Sequence, residues 1–326
     1  MSELRDYYGR SGAVSLSGSL SGSTGPVPSS LPSSGSTISV SNFRSKNRIL
    51  RKKGSTQTIA SGSSWSPAQS GCVQYNVYAV GGGGSGGGHS TDSRREKVAS
   101  GGGAGGTAFR RYSVQDHGVT SASIGIGGGA AGVSYPANSG YAISGRNGGT
   151  TTFNPNGSGT TIYGYGGSRG FGGRQTSAIG EASTTTNIDA WGTCSGSSGG
   201  GAAGGENNYS GGAGPALSVG GDQSSASGGG SPNLGSGGQN GYVINQSGYA
   251  TSLRTNAPTK PSEWGSNVSN TFQGGWAVQH SSGSAGGAGN GYLGAGGGGS
   301  ASESGAGNSG NGGSGAIFVT YYEINT

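Results

Sequence analysis

The chain has 326 residues, 79 of them Gly, and only 29% are hydrophobic, against about 45–50% in an ordinary domain. Leu, Ile, Val and Phe are scattered singly and never repeat at i, i+3, i+4, i+7, which excludes a helical bundle and a conventional aliphatic core of this size. Residues 1–54 hold eight Lys/Arg and two acids, and residues 55–326 hold ten of each sign, so the whole net charge of +6 belongs to the N-terminal part. A neutral Gly-rich body lacks the charge excess that drives nucleic-acid affinity.

In chain order, residues 1–60 read as a basic, extended attachment arm. Ser, Gly and Pro dominate 11–37, with Pro26, Pro28 and Pro32 favouring an extended backbone. The segment from Thr37 to Phe43 alternates in character and reads as a short strand or docking segment, and a basic run follows. The residues expected to grip a partner are Ile38, Val40, Phe43, Arg44, Lys46, Arg48, Arg51, Lys52 and Lys53. A +6 cluster suits an acidic protein surface at least as well as nucleic acid, and the former is the expected partner. The N-terminus lacks the apolar stretch of a signal peptide, and no run of about 18 apolar residues exists, so synthesis in a cytoplasm is expected.

Residues 61–326 read as one Gly-rich domain. Residues 72–80 place Val73, Tyr75, Val77 and Ala79 on one side, the pattern of a half-buried strand. Residues 316–322 form a second apolar strand, and pairing the two would close the domain. Between them Gly tracts recur near 81–88, 101–106, 125–132, 164–173, 196–205, 210–214, 228–241, 283–299 and 305–315, too irregularly for a solenoid. A disordered linker would share the Gly content, but linkers are poor in aromatics and this chain has 4 Trp and 15 Tyr. The alternative is polyglycine-II packing, in which three-residue-per-turn helices direct N–H and C=O groups outward to their neighbours. Collagen is excluded, because Gly286, Gly287, Gly289, Gly291, Gly294 and Gly296 keep no three-residue register. The expected fold is therefore all-β and irregular: an extended arm, bracketing strands, polyglycine-II-type helices and almost no α-helix.

Chemistry-bearing motifs are weak. Gly127-x-Gly129-x-x-Gly132 matches a dinucleotide fingerprint without the acid or the βαβ context, and Gly166-Gly-Ser168-Arg-Gly170 matches a nucleophile elbow without strand–turn–helix context. Cys72 and Cys194 are too far apart for a metal pair, His89, His117 and His280 are isolated, and no carboxylates pair for acid–base work. No catalytic residue, metal or cofactor is expected. The segment 242–282 is the richest in rings, and Tyr242, Tyr249, Trp264 and Trp276 are candidates to face a receptor, the competing reading being that they are core.

Leu4-Arg-Asp-Tyr-Tyr-Gly9, Val27-Pro-Ser-Ser and Gly35-Ser-Thr-Ile-Ser-Val-Ser-Asn-Phe-Arg44 resemble the attachment segment of small tail proteins of tailed bacteriophages, marine and cyanobacterial phages in particular. The apolar strand into Gly81–Gly84, the Gly tracts and the closing Gly315-Ala-Ile-Phe-Val-Thr-Tyr-Tyr-Glu323 are similar to the glycine-rich domain of tail fibres and tail-tip adhesins. The resemblance implies a non-enzymatic, multi-copy virion protein whose arm binds other tail proteins and whose inter-tract segments meet a host surface glycan or protein. A purely structural tail, baseplate or capsid-decoration protein is the alternative.

Overall fold

The computed structural model describes residues 50–90, 97–137, 142–174, 203–204, 216–217, 224–232, 234, 243–244, 248–249, 259–269, 271–280, 287–302 and 305–324. Its base is a two-sheet sandwich. The strands are β1 (Leu50–Lys52), β2 (Gln57–Ile59), β3 (Ser64–Trp65), β4 (Gln74–Val80), β5 (Thr107–Ser113), β6 (Ala122–Gly125), β7 (Thr151–Pro155), β8 (Ile162–Gly164) and β9 (Ala316–Ile324). In the first sheet β9 lies between β4 and the β1/β2 pair, with β5 beyond β4. The second sheet runs β8–β7–β6–β3. The two bracketing strands do pair, antiparallel, from Ala316 opposite Val80 to Tyr322 opposite Gln74.

The period-2 alternation of β4 and β9 sorts two sets of side chains. Tyr75, Val77, Ala79, Ile317, Val319 and Tyr321 meet Trp65, Ile124, Phe153 and Ile162 of the second sheet. Tyr78, Val80, Ala316 and Phe318 meet Phe109, Leu234, Trp264, Val268 and Phe272 on the opposite side. The strand read as half-buried is thus covered on both faces. Asn76 is a polar side chain on the second face of β4, and even that is 4% exposed. It donates to Glu263 Oε2 at 2.7 Å, which satisfies the amide where water cannot reach.

Above the sandwich the strands become polyglycine helices. Residues 81–87 follow β4, and their amides rotate through three neighbours in strict succession. Gly81, Gly84 and Gly87 donate to the carbonyls of Gly106, Gly103 and Ser100; Gly82 and Ser85 donate to Gly149 and Arg146; Gly83 and Gly86 donate to Gly313 and Gly310. A donor that returns to the same neighbour every third residue is a helix of three residues per turn. The carbonyls of this segment complete a hexagon. Gly82 and Ser85 accept from Gly167 and Gly170, Gly84 and Gly87 from Gly297 and Ser300, and Gly83 from Ala130. Residues 81–87 are therefore the axis of an array with six surrounding segments: 100–106, 127–130, 145–149, 165–171, 294–300 and 309–315.

Five of those six segments are continuous with sandwich strands, leading into β5, β7 and β9 or leaving β6 and β8. Segment 294–300 arrives from elsewhere. Such an array does not hold by itself, because ordering a residue costs about 1–2 kcal/mol, Gly most of all, and each hydrogen bond returns only about 0.5–1.5 kcal/mol. The aromatic sandwich supplies the rest and fixes where each helix starts. Only one α-helix occurs among the described residues, α1 (Val114–His117), capped by Ser113 at its start and by Gly118 at φ 62° at its end.

Two boundaries move relative to the sequence reading. The strands expected at 72–80 and 316–322 run over Gln74–Val80 and Ala316–Ile324. The arm expected over 1–60 loses its last part to the domain, since β1 and β2 both pair antiparallel with β9. The physical reason is that the edge of β9 away from β4 is open, and its nine residues are long enough to take β1 and β2 one after the other along it.

Candidate functional site

The near pole of the molecule, where β9 ends, is where the chain leads in from the N-terminal side. Leu50 lies opposite Ile324, Arg51 opposite Glu323 and Lys52 opposite Tyr322. Arg51 Nε reaches Glu323 Oε1 at 2.7 Å and Lys53 Nζ reaches Oε2 at 2.9 Å. These two cations, the Lys53 hydrogen bond first, hold the Glu323 carboxyl below its ordinary pKa. Lys53 Nζ also donates to the Ser70 carbonyl at 2.6 Å. Three residues assigned to partner attachment, Arg51, Lys52 and Lys53, therefore belong to the first sheet and its immediate continuation, and two of them share the one Glu323 carboxylate. The other six, Ile38, Val40, Phe43, Arg44, Lys46 and Arg48, lie outside the described residues. Ahead of residue 50 the chain keeps five Lys/Arg and two acids.

Of the four candidate receptor-facing rings, Trp264 is core. It is 0% exposed, stacked on Phe318 with centroids 4.2 Å apart and edge-on to Tyr78 at 5.1 Å. A 3-10 turn, Ser262–Trp264, presses it onto the sheet, and Lys260 Nζ braces the loop by donating to the Gly265 carbonyl at 2.6 Å and to that of Val268. Glu263 ties the same turn to the sheet, accepting from Asn76 and from the Tyr322 hydroxyl. Burial, followed by that bond to Glu263, pushes the Tyr322 phenol up. Trp276 is half-buried and packs against Val278 and Ala288. Tyr249 lies in a short strand opposite Val278, its side chain outside the described residues, as is Tyr242 altogether.

At the far pole the array ends in short strands. Gly88–Ser90, Ser300–Ser302 and Val278–His280 run parallel and in register, with His89, Ala301 and Gln279 in one row. His89 is fully buried there. Both weak sequence motifs lie in the array: Gly127 and Gly129 meet the 149–150 and 312–313 backbones, and Gly166–Gly170 belong to the outer segment 165–171. No group of three metal-ligating side chains occurs among the described residues, and no helix there is long and apolar enough to cross a membrane.

One surface was not singled out from the sequence. Tyr163 and Tyr165 are each 39% exposed, and their rings lie side by side with centroids 6.1 Å apart and planes 18° apart. Further along the same outer helix the Arg169 guanidinium lies 5.1 Å from the centre of the Phe171 ring. The signal in the sequence is Tyr-Gly-Tyr at the end of a strand, which puts two rings on one side of the chain. Compared with models of known protein families and with curated proteins, the chain matches none.

Proposed function

We propose that the protein is a non-enzymatic component of a bacteriophage tail, anchored through its N-terminal arm and presenting the glycine array outward for recognition of a host surface. The observation that carries this reading is the polarity of the domain. Residue 50 joins at the Ile324 end of β9, the end remote from the array. Ser90, Lys97, Ser302 and Gly305 all lie at the opposite pole, beyond the array. A basic lead at one end and a cross-linked array at the other is the layout of a tethered spacer with a working tip. Hydrogen bonds in three directions make the array stiff across its axis as well as along it, which suits an object that must hold a binding surface away from its anchor.

Residues 1–49 are the part to delete, since β1 begins at Leu50. In phage grown with the truncated protein, the domain folds but fails to appear in purified particles. Normal incorporation of the truncated chain overturns the anchoring role.

A further inference from the structure

The second sheet buries one face and leaves the other to solvent. On the open face, directly opposed residues share a side. Thr152 stands between Gly125 and Tyr163, and Asn154 is opposite Ser123. Thr161 Oγ1 donates to Asn154 Oδ1 at 2.6 Å. Ser123, Asn154 and Tyr163 are exposed, and Thr152 and Thr161 are partly so. Gly125 leaves a dip beside Thr152, where a Cβ would meet the Thr152 hydroxyl at 2.9 Å. At the rim the Tyr163–Tyr165 pair supplies two near-parallel rings. None of these side chains is charged.

From this composition we infer that the open face of the β3–β6–β7–β8 sheet binds a neutral glycan. Tyr163 and Tyr165 stack on the apolar faces of sugar rings, while Thr152, Asn154 and Thr161 hydrogen-bond the hydroxyls. Stacked aromatics beside hydroxyl and amide groups match the alternating apolar and polar character of a pyranose. A nucleic acid offers the same rings a base but brings phosphates, and these residues include no cation to meet them. An acidic polysaccharide is disfavoured for the same reason. A protein partner of ordinary kind would bury an apolar or Arg-rich centre, which this set of residues also lacks. The face lies on the flank of the sandwich and not at the far tip of the array, so the inference adds a lateral glycan surface to the proposed role in host recognition and rests on that reading only for the source of the glycan.

The test uses the full chain in isolation, on an array of neutral and acidic oligosaccharides, with a twelve-residue oligothymidylate as a further probe. Neutral oligosaccharides bind, and the Tyr163→Ala/Tyr165→Ala variant binds them about tenfold or more weakly at unchanged Tm. The Tyr163→Phe/Tyr165→Phe variant keeps the stacking and keeps most of the affinity. If the double Ala change lowers Tm, exposed Asn154→Ala serves instead and also weakens binding. Binding only to acidic sugars or to the oligothymidylate, no binding to any neutral glycan, or full binding by the folded variants overturns the inference. Any of these leaves tail incorporation, measured separately on particles, untouched.

Discussion

A Cβ placed on Gly83 would lie 1.9 Å from the carbonyl oxygen of Ala295. That separation is far inside van der Waals contact, and the atom it meets is backbone, held by a donor from Gly313 at 2.8 Å. The neighbour cannot rotate away as a side chain would. Gly83→Ala is therefore expected to cost more than about 4 kcal/mol, beyond ordinary overpacking, and to abolish cooperative unfolding near the wild-type Tm. Gly128 is the control: it is exposed, and a Cβ added there would meet nothing within 4 Å. Gly128→Ala is expected to stay within about 0.5 kcal/mol of wild type in denaturant unfolding.

Trp264 closes the second face of the first sheet. Its replacement by Ala removes a ring stacked at 4.2 Å on Phe318 and leaves a cavity, a change that costs about 3–5 kcal/mol. Trp264→Phe fills most of that space and costs less. Denaturant titration of both variants checks the order. Equal stability of Trp264→Ala and wild type would show that the ring is not part of the core.

Tyr135 is 2% exposed and shares a 2.7 Å hydrogen bond with the Ser300 hydroxyl. Burial outweighs that bond and pushes its pKa up to about 12, from an ordinary 10.0. Because the folded value is the higher one, its contribution to stability is fully present below about pH 10 and is lost as pH rises toward about 12. Burial raises the phenols of Tyr75 and Tyr321 in the same direction. Tyr135→Phe is expected to flatten part of the alkaline fall in Tm, at the cost of the Ser300 bond. A fall as steep as wild type contradicts the assignment.

Glu323 gives the acid-side counterpart. Lys53 and Arg51 depress its pKa, so its contribution is present above the unfolded carboxyl value and disappears as pH falls through the folded one. The group is at the surface, so the effect is small and screened by salt. Glu323→Gln is expected to lower Tm slightly at neutral pH and low salt, with the difference shrinking as pH falls below the ordinary carboxyl range and in molar salt. A difference that persists in acid points to packing rather than charge.

The bracketing strands were legible because QYNVYAV and AIFVTYY are dense apolar runs in a chain otherwise poor in them. The array was legible as a class and not in detail. The segment 145–149 was missed because it holds only three Gly, yet Gly145 and Gly148 donate to Gly170 and Gly167. An outer helix needs Gly only where it faces inward. On segment 309–315 the exposed positions, Asn311 and Ser314, continue the three-residue column begun by Asn308. The local three-residue register that a whole-chain search does not find is thus present, helix by helix. The central helix, with six neighbours, tolerates one side chain, Ser85, whose hydroxyl accepts from the Arg146 amide at 2.8 Å. Trp264 was undecidable from sequence, since a ring in a polar loop serves as core or as contact equally well. Its burial depends on β4 and β9 presenting Tyr78 and Phe318 to it, a long-range fact.

The central claim is that the near pole is the anchor and the array points away from the tail. Cryo-EM of the assembled particle tests it most directly. The account predicts density for the sandwich, with the Leu50–Ile324 end against another tail protein and the far end of the array exposed. The domain lying the other way round, or enclosed at both poles by other virion proteins, contradicts it.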